Sequence, residues 1–136
     1  MGVGLSAGNE LWSIGTGEFF HAFFSTVTAR LEPDGWGTRF PAVMKELYRG
    51  ELDAQSAKLA LAELGRIRVE LRRFPPSDVV WDGADRTRRP PWGDEIADDI
   101  TDPSNYFVTD DGEDLFDVLS EGLGYATRAG VPVQVQ

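Results

Sequence analysis

Between Gly17 and Leu31, Phe19, Phe23, Val27 and Leu31 recur at every fourth residue, and Phe20 and Phe24 widen the stripe. Helical periodicity puts such residues on one face, so the core must form against one aromatic helix. Thr16 is placed to cap that helix, and Glu18 suits the positive end of its dipole. Burial of each large apolar side chain contributes about 1.5–3 kcal/mol before conformational entropy is counted. Pro41 suits the first position of a second helix, where its missing N–H has no intrahelical partner. Val43, Met44, Leu47 and Tyr48 give this helix an apolar face, and Gly50 ends it. Asp53 caps a third helix running to about Arg73, with Ala57, Ala60, Leu61, Leu64, Ile67, Leu71 and Phe74 in one stripe. Gly65 within it costs roughly 1 kcal/mol relative to alanine and suggests close packing. Pro75-Pro76 stops it.

Strand signals are shorter. Residues 3–7 read as a Gly-flanked strand, and Val79-Val80-Trp81 and Tyr106-Phe107-Val108 as two more. Val131, Val133 and Val135 alternate with polar residues and proline, as a half-buried strand would, and Pro132 suggests a sheet edge. Residues 83–102 read as loop. Asp110 or Asp111 starts a fourth helix, with Glu113 and Asp114 in its first turn. Leu115, Phe116, Leu119, Leu123 and Ala126 form its stripe, and Gly130 ends it. The first three helices come as a block rather than alternating with strands, which points to an α+β fold. At 136 residues the chain is a single domain, 1–136. About four helices are expected to pack on a small, mainly antiparallel sheet.

Charge is distributed very unevenly. Residues 90–127 carry no lysine or arginine, yet hold eleven of the 23 acidic residues. Elsewhere 12 acids face 13 bases, so the net charge of −10 belongs almost wholly to this segment. Trp92, Tyr106, Phe107 and Phe116 are set into it, which lets it fold and still present a negative face. Such a face attracts a basic partner and repels nucleic acid, whose binding needs a basic footprint. Asp94, Glu95, Asp98, Asp99 and Asp102 recur at spacings of three and four, so a helical turn would gather them on one side. With Trp92 and Tyr106 as aromatic anchors, these five acids form the expected partner-binding set.

Signatures of catalysis are missing from the sequence. There is no phosphate-binding GxxxxGK[ST], no GxSxG elbow and no HExxH pair. His21, the only histidine, cannot by itself build a typical zinc site. It reads as a structural or surface histidine. Asp110-Asp111-Gly112-Glu113-Asp114 lacks the order of a calcium loop and is accounted for by helix capping. The expectation is a non-enzymatic protein with no cofactor and no metal. The absence of cysteine excludes disulfides and fits a reducing compartment. No apolar run approaches the roughly 20 residues of a membrane span, and no positive n-region precedes an apolar stretch. A cytoplasmic protein without membrane association is expected.

Several unusual strings carry a resemblance. They are Gly15-Thr16-Gly17 with Phe20-His21-Ala22-Phe23-Phe24-Ser25-Thr26, then Gly35-Trp36-Gly37-Thr38-Arg39-Phe40-Pro41 and Glu46-Leu47-Tyr48. Val80-Trp81-Asp82 and Pro90-Pro91-Trp92-Gly93 follow. The longest runs from Asp99-Ile100-Thr101-Asp102 through Ser104-Asn105-Tyr106-Phe107-Val108-Thr109 to Asp111-Gly112 and Asp114-Leu115-Phe116. Together they resemble the bacterial immunity protein 70 family, the antidote half of polymorphic toxin systems. The resemblance implies a small cytoplasmic α+β protein that binds and blocks a toxin made by the same cell, without catalysis or cofactor. The charge argument adds that the toxin domain is basic, as a nuclease that attracts phosphate would be. The alternatives are an interaction or regulatory module outside toxin systems, or a small carboxylate- or metal-dependent enzyme.

Overall fold

Gly8 and Asn9 reverse the chain between β1 (Gly2–Ala7) and β2 (Glu10–Thr16), which pair antiparallel with Ala7 opposite Glu10 and Leu5 opposite Trp12. Gly8 has φ +60°, as the first central residue of a two-residue hairpin turn requires. The computed structural model describes residues 2–85, 87–90 and 96–136. Ile14 is an extra residue in β2, because Gly4 faces Ser13 while Val3 already faces Gly15. A short strand β3 (Glu51–Leu52) and the strand β4 (Val133–Val135) complete an antiparallel sheet of order β2-β1-β4-β3. β4 is therefore an inner strand, not the edge that Pro132 suggests. The proline lies just before the strand, so its missing N–H costs the ladder nothing.

The Phe-rich helix α1 (Gly17–Leu31) forms as its periodicity predicts, and the Thr16 hydroxyl accepts the Phe19 N–H at 3.1 Å. Helix α2 (Ala54–Leu71) starts at Asp53, whose carboxylate accepts the Ser56 N–H at 2.7 Å. Helix α3 (Leu115–Ala129) starts later than Asp110 or Asp111. Asp114 is its cap, accepting the Phe116 N–H at 2.8 Å, and Gly130 ends it at φ +69°. α3 lies on the sheet and also against α2. Gly122 makes the first contact possible: a Cβ there would collide with Leu5 Cδ2, and Leu5 is fully buried.

The expected second helix is a π-helical turn, Ala42–Leu47, and the cause is visible. The Trp36 indole donates to the Met44 carbonyl at 2.6 Å, the acceptor that the Tyr48 N–H would take in an α-helix. Tyr48 N–H bonds instead to the carbonyls of Val43 and Lys45. Glu63, from α2, satisfies the free N-terminal amides of this turn: its carboxylate accepts from Val43 N–H at 2.9 Å and Ala42 N–H at 3.3 Å. Burial pushes the Glu63 carboxyl above the usual range, with those two amides opposing the shift.

Two expected strands do not form. Val79-Val80-Trp81 lies against α1, where Thr26 takes the place of a strand partner. The Thr26 hydroxyl accepts the Val80 N–H at 2.9 Å, and its proton lies between the carbonyls of Ala22 (2.9 Å) and Val80 (3.2 Å). Tyr106-Phe107-Val108 makes only a single bridge, Val108 to Asp114, with the Leu115 N–H on the Phe107 carbonyl at 2.9 Å.

Buried Glu32 also organises irregular chain. Its two oxygens accept from the amides of Gly37 (3.0 Å), Arg39 (3.1 Å) and Phe40 (3.2 Å). Replacing it with alanine strands three amides, so Glu32→Ala is expected to lower unfolding free energy by about 3 kcal/mol or more. Urea denaturation reads this directly, and a loss under 1 kcal/mol would remove Glu32 as the organiser. Gly65 has the opposite prospect. It is exposed, a Cβ there meets nothing within 4 Å, and the close packing suggested by the sequence is absent. Gly65→Ala should stabilise the protein by about 1 kcal/mol, and any destabilisation in the same assay refutes that.

Candidate functional site

The irregular segment after α2 is held on α1 by polar side chains. Arg30 Nε donates to the Asp78 carbonyl at 2.8 Å, and the Ser25 hydroxyl accepts the Gly83 N–H at 3.0 Å. Thr26 fixes Val80 between them. This arrangement buries Trp81, 5% exposed, and opens a cleft of about 350 Å³ beside it. Arg30, Val79, Trp81, Arg88, Ile96 and Tyr106 are among its walls. A smaller recess of about 190 Å³, which shares Trp81, Asp82 and Arg88 with the cleft, is lined also by Gly17, Glu18 and His21.

His21 sits in that recess with both ring nitrogens approached. Nδ1 is 3.2 Å from the Tyr48 hydroxyl, and Nε2 is 3.6 Å from Asp82 Oδ1. Arg88 reaches Glu18 at 3.3 Å and Asp82 Oδ2 at 3.4 Å. The Ala84 N–H is the main influence holding the Asp82 carboxyl below the usual range. Burial opposes it, while His21 and Arg88 add to it. The histidine thus links α1 to Tyr48 at the end of the π-helical turn and to Asp82. Among the described residues, no group of three or more His, Cys, Asp or Glu side chains could hold a metal ion.

The expected binding residues have unlike settings. Trp92, Asp94 and Glu95 lie outside the described residues. Asp98 and Asp99 are exposed in a turn closed by the Ile100 N–H on the Ala97 carbonyl at 3.0 Å. The described part of the acidic run, from residue 96, is turn rather than helix, so Asp98, Asp99 and Asp102 do not share a helical face. Asp102 is half-buried and occupied. Its carboxylate accepts the Ser104 N–H at 2.8 Å and the Thr101 hydroxyl at 2.9 Å. Tyr106 is 7% exposed and stacks edge-on to Phe107, with ring centroids 5.2 Å apart.

Asn105 escaped the sequence reading. Its amide oxygen accepts from Thr101 N–H (3.1 Å) and Asp102 N–H (3.3 Å), and its NH₂ donates to the Asp99 carbonyl at 3.0 Å. The turn composition Asp102-Pro103-Ser104-Asn105 was the available signal. Farther on, Asp110 accepts from the Ser13 hydroxyl at 2.6 Å, and Asp114 meets Arg68 at 3.7 Å. Burial raises the Asp114 carboxyl, with Arg68 opposing. Asp111 and Glu113 remain exposed at the loop tip.

Asp102 is thus a turn-former. Burial raises its carboxyl, but the Ser104 and Thr101 hydrogen bonds outweigh that and leave it below the usual range. A carboxyl depressed in the folded state adds stability above its unfolded pKa and loses it as pH falls through the folded value. Asp102→Ala should therefore cost about 1 kcal/mol near neutrality. The gap between variant and wild type should close on acidification. Thermal melts across the acid range check this, and a gap independent of pH would refute it.

The chain matches the family model of immunity protein 70 over residues 5–135. Searches of curated proteins and of solved structures find no match. The family match spans nearly all of the sequence, including α1, the Trp81 cleft and the acidic segment. The family suggests a non-enzymatic role with a toxin as partner. The chain belongs to the immunity protein 70 family, and as such is an immunity protein against a toxin.

Proposed function

We propose that this protein neutralises its toxin stoichiometrically, by docking an acidic face on a basic toxin domain in the cytoplasm of the cell that makes both. Family membership carries the immunity role, and the exposed acids carry the interface. Asp98 and Asp99 make no ion pair or side-chain hydrogen bond among the described residues. Their charges are therefore available to a partner. In sequence they follow Trp92, Asp94 and Glu95, which belong to the same proposed surface. Asp102 and Tyr106 support it from behind, one by fixing the turn and the other by walling the cleft.

Negative charge at −10 accelerates encounter with a basic surface, while desolvated apolar contacts set residence time. A nuclease domain suits this polarity, because its cleft must attract phosphate. The inhibitor would then occupy the field meant for nucleic acid. No described helix is long and apolar enough to cross a membrane, and the cysteine-free composition is compatible with a reducing compartment.

The test is calorimetric titration against the toxin domain encoded beside this chain, at low and high salt. Tight one-to-one binding that weakens with salt is the expected result. Charge reversal at Asp98→Lys with Asp99→Lys should weaken it by roughly one to two orders of magnitude at low salt. The melting temperature should barely move, since both residues are exposed. Affinity unchanged by reversal would remove this face from the interface, and tight binding indifferent to salt would place the contact on apolar surface.

A further inference from the structure

The sheet has one long open edge. Gly4 uses both backbone groups toward β4: its N–H donates to the Gln136 carbonyl at 2.8 Å, and its carbonyl accepts the Gln136 N–H at 3.0 Å. Ser13, which faces Gly4 from the other side, therefore has no ladder bond to β1. Its N–H and C=O point off the sheet. Alternation along an antiparallel strand puts Leu11 in the same state. Among the described residues, no backbone group pairs with Leu11 or Ser13 from outside the hairpin.

The chain itself starts to extend the sheet here and then stops. Asp110 N–H donates to the Ile14 carbonyl at 3.1 Å, the Ser13 hydroxyl donates to Asp110 Oδ1 at 2.6 Å, and the loop turns away through Asp111 and Gly112. Beyond that point the edge is bare. Proteins commonly blunt such edges with lysine, proline or a covering loop. Leu11-Trp12-Ser13 has none of these, and Leu11 is 75% exposed.

We propose that the open edge of β2 accepts an extended basic segment of the toxin as a fifth strand. This rests on the immunity reading and adds a specific docking register to it. Charge selects the occupant. Glu10 stands at one end of the bare stretch, and Asp111 and Glu113 stand at the other, all exposed and without an ion pair among the described residues. A second copy of this chain would bring the same acids face to face, at −10 per molecule. A strand alternating basic and apolar residues matches both features. Its main chain pairs with Leu11 and Ser13, an apolar side chain covers Leu11, and its bases reach the flanking carboxylates.

Amide hydrogen exchange on the full chain, alone and with the neighbouring toxin domain, tests this. In the free protein the Leu11 and Ser13 amides should exchange quickly, while Trp12, bonded to Leu5, is protected. In the complex the Leu11 and Ser13 amides should slow by at least tenfold, with Trp12 little changed. Tight binding that leaves both amides fast overturns the edge inference and spares the immunity reading. A toxin that does not bind removes both. Leu11→Pro deletes an outward N–H and no ladder bond to β1, so the folded variant should bind at least about tenfold more weakly. Leu11→Lys tests the same edge by like-charge repulsion if the proline variant does not fold. Wild-type affinity in either folded variant overturns the proposal.

Discussion

Phe23 is the point on which the separate parts of this fold depend. Its ring stands edge-on to Phe24 at 5.2 Å, to Phe107 at 5.7 Å and to Phe116 at 5.4 Å. Each such pair adds about 0.5–1.5 kcal/mol beyond the burial of area. The three partners belong to α1, to the irregular chain before α3, and to α3 itself. Phe107 differs from the other two in belonging to chain that makes no ladder. Its ring reaches the core while its carbonyl accepts the Leu115 N–H. The acidic loops on either side are therefore fastened to an aromatic centre, and the second also to the edge of β2 through Asp110.

Irregular backbone must still satisfy its N–H and C=O groups. Here a few side chains do so from neighbouring helices. Glu32 serves the loop before the π-helical turn, Glu63 serves the turn itself, and Thr26 and Ser25 serve residues 80–83. Ser25 and Thr26 are fully buried on an otherwise aromatic helix. Their burial costs little because each hydroxyl is engaged. Asn105 does the same work within its own turn. This explains how the described residues outside helix and sheet between α2 and α3 are tied to the core.

The helical stripes were legible because burial on one face leaves a period of 3.6 in the sequence. α1, α2 and α3 sit close to where their apolar residues place them, with Thr16 and Asp53 as their caps. The sheet was less legible. β2 went unnoticed because its core side is carried by Trp12 and Ile14 while Leu11 faces outward, so its alternation breaks at the apolar residue on the wrong side. β4 is an inner strand because β1 and the two-residue β3 flank it, which no local pattern encodes. Val79-Val80-Trp81 has strand composition, but a hydroxyl on a helix 54 residues earlier takes its hydrogen bonds. Among the described residues, Asp98, Asp99 and Asp102 did not mark a helix, because Asp102 was placed by turn chemistry.

That last distinction bears on how to read an acidic segment. Its carboxylates divide into those the fold consumes and those it leaves over. Asp102 holds a turn, Asp110 meets Ser13, and Asp114 caps α3 and faces Arg68. Removing any of these would disturb structure before it altered recognition. Asp98, Asp99, Asp111 and Glu113 have no such employment, and clustered like charge without a local cation weakens the compact state. A chain gains nothing in stability by keeping them free of lysine and arginine over 38 residues. On the proposed reading, the missing cations come from outside, from a basic surface of the toxin.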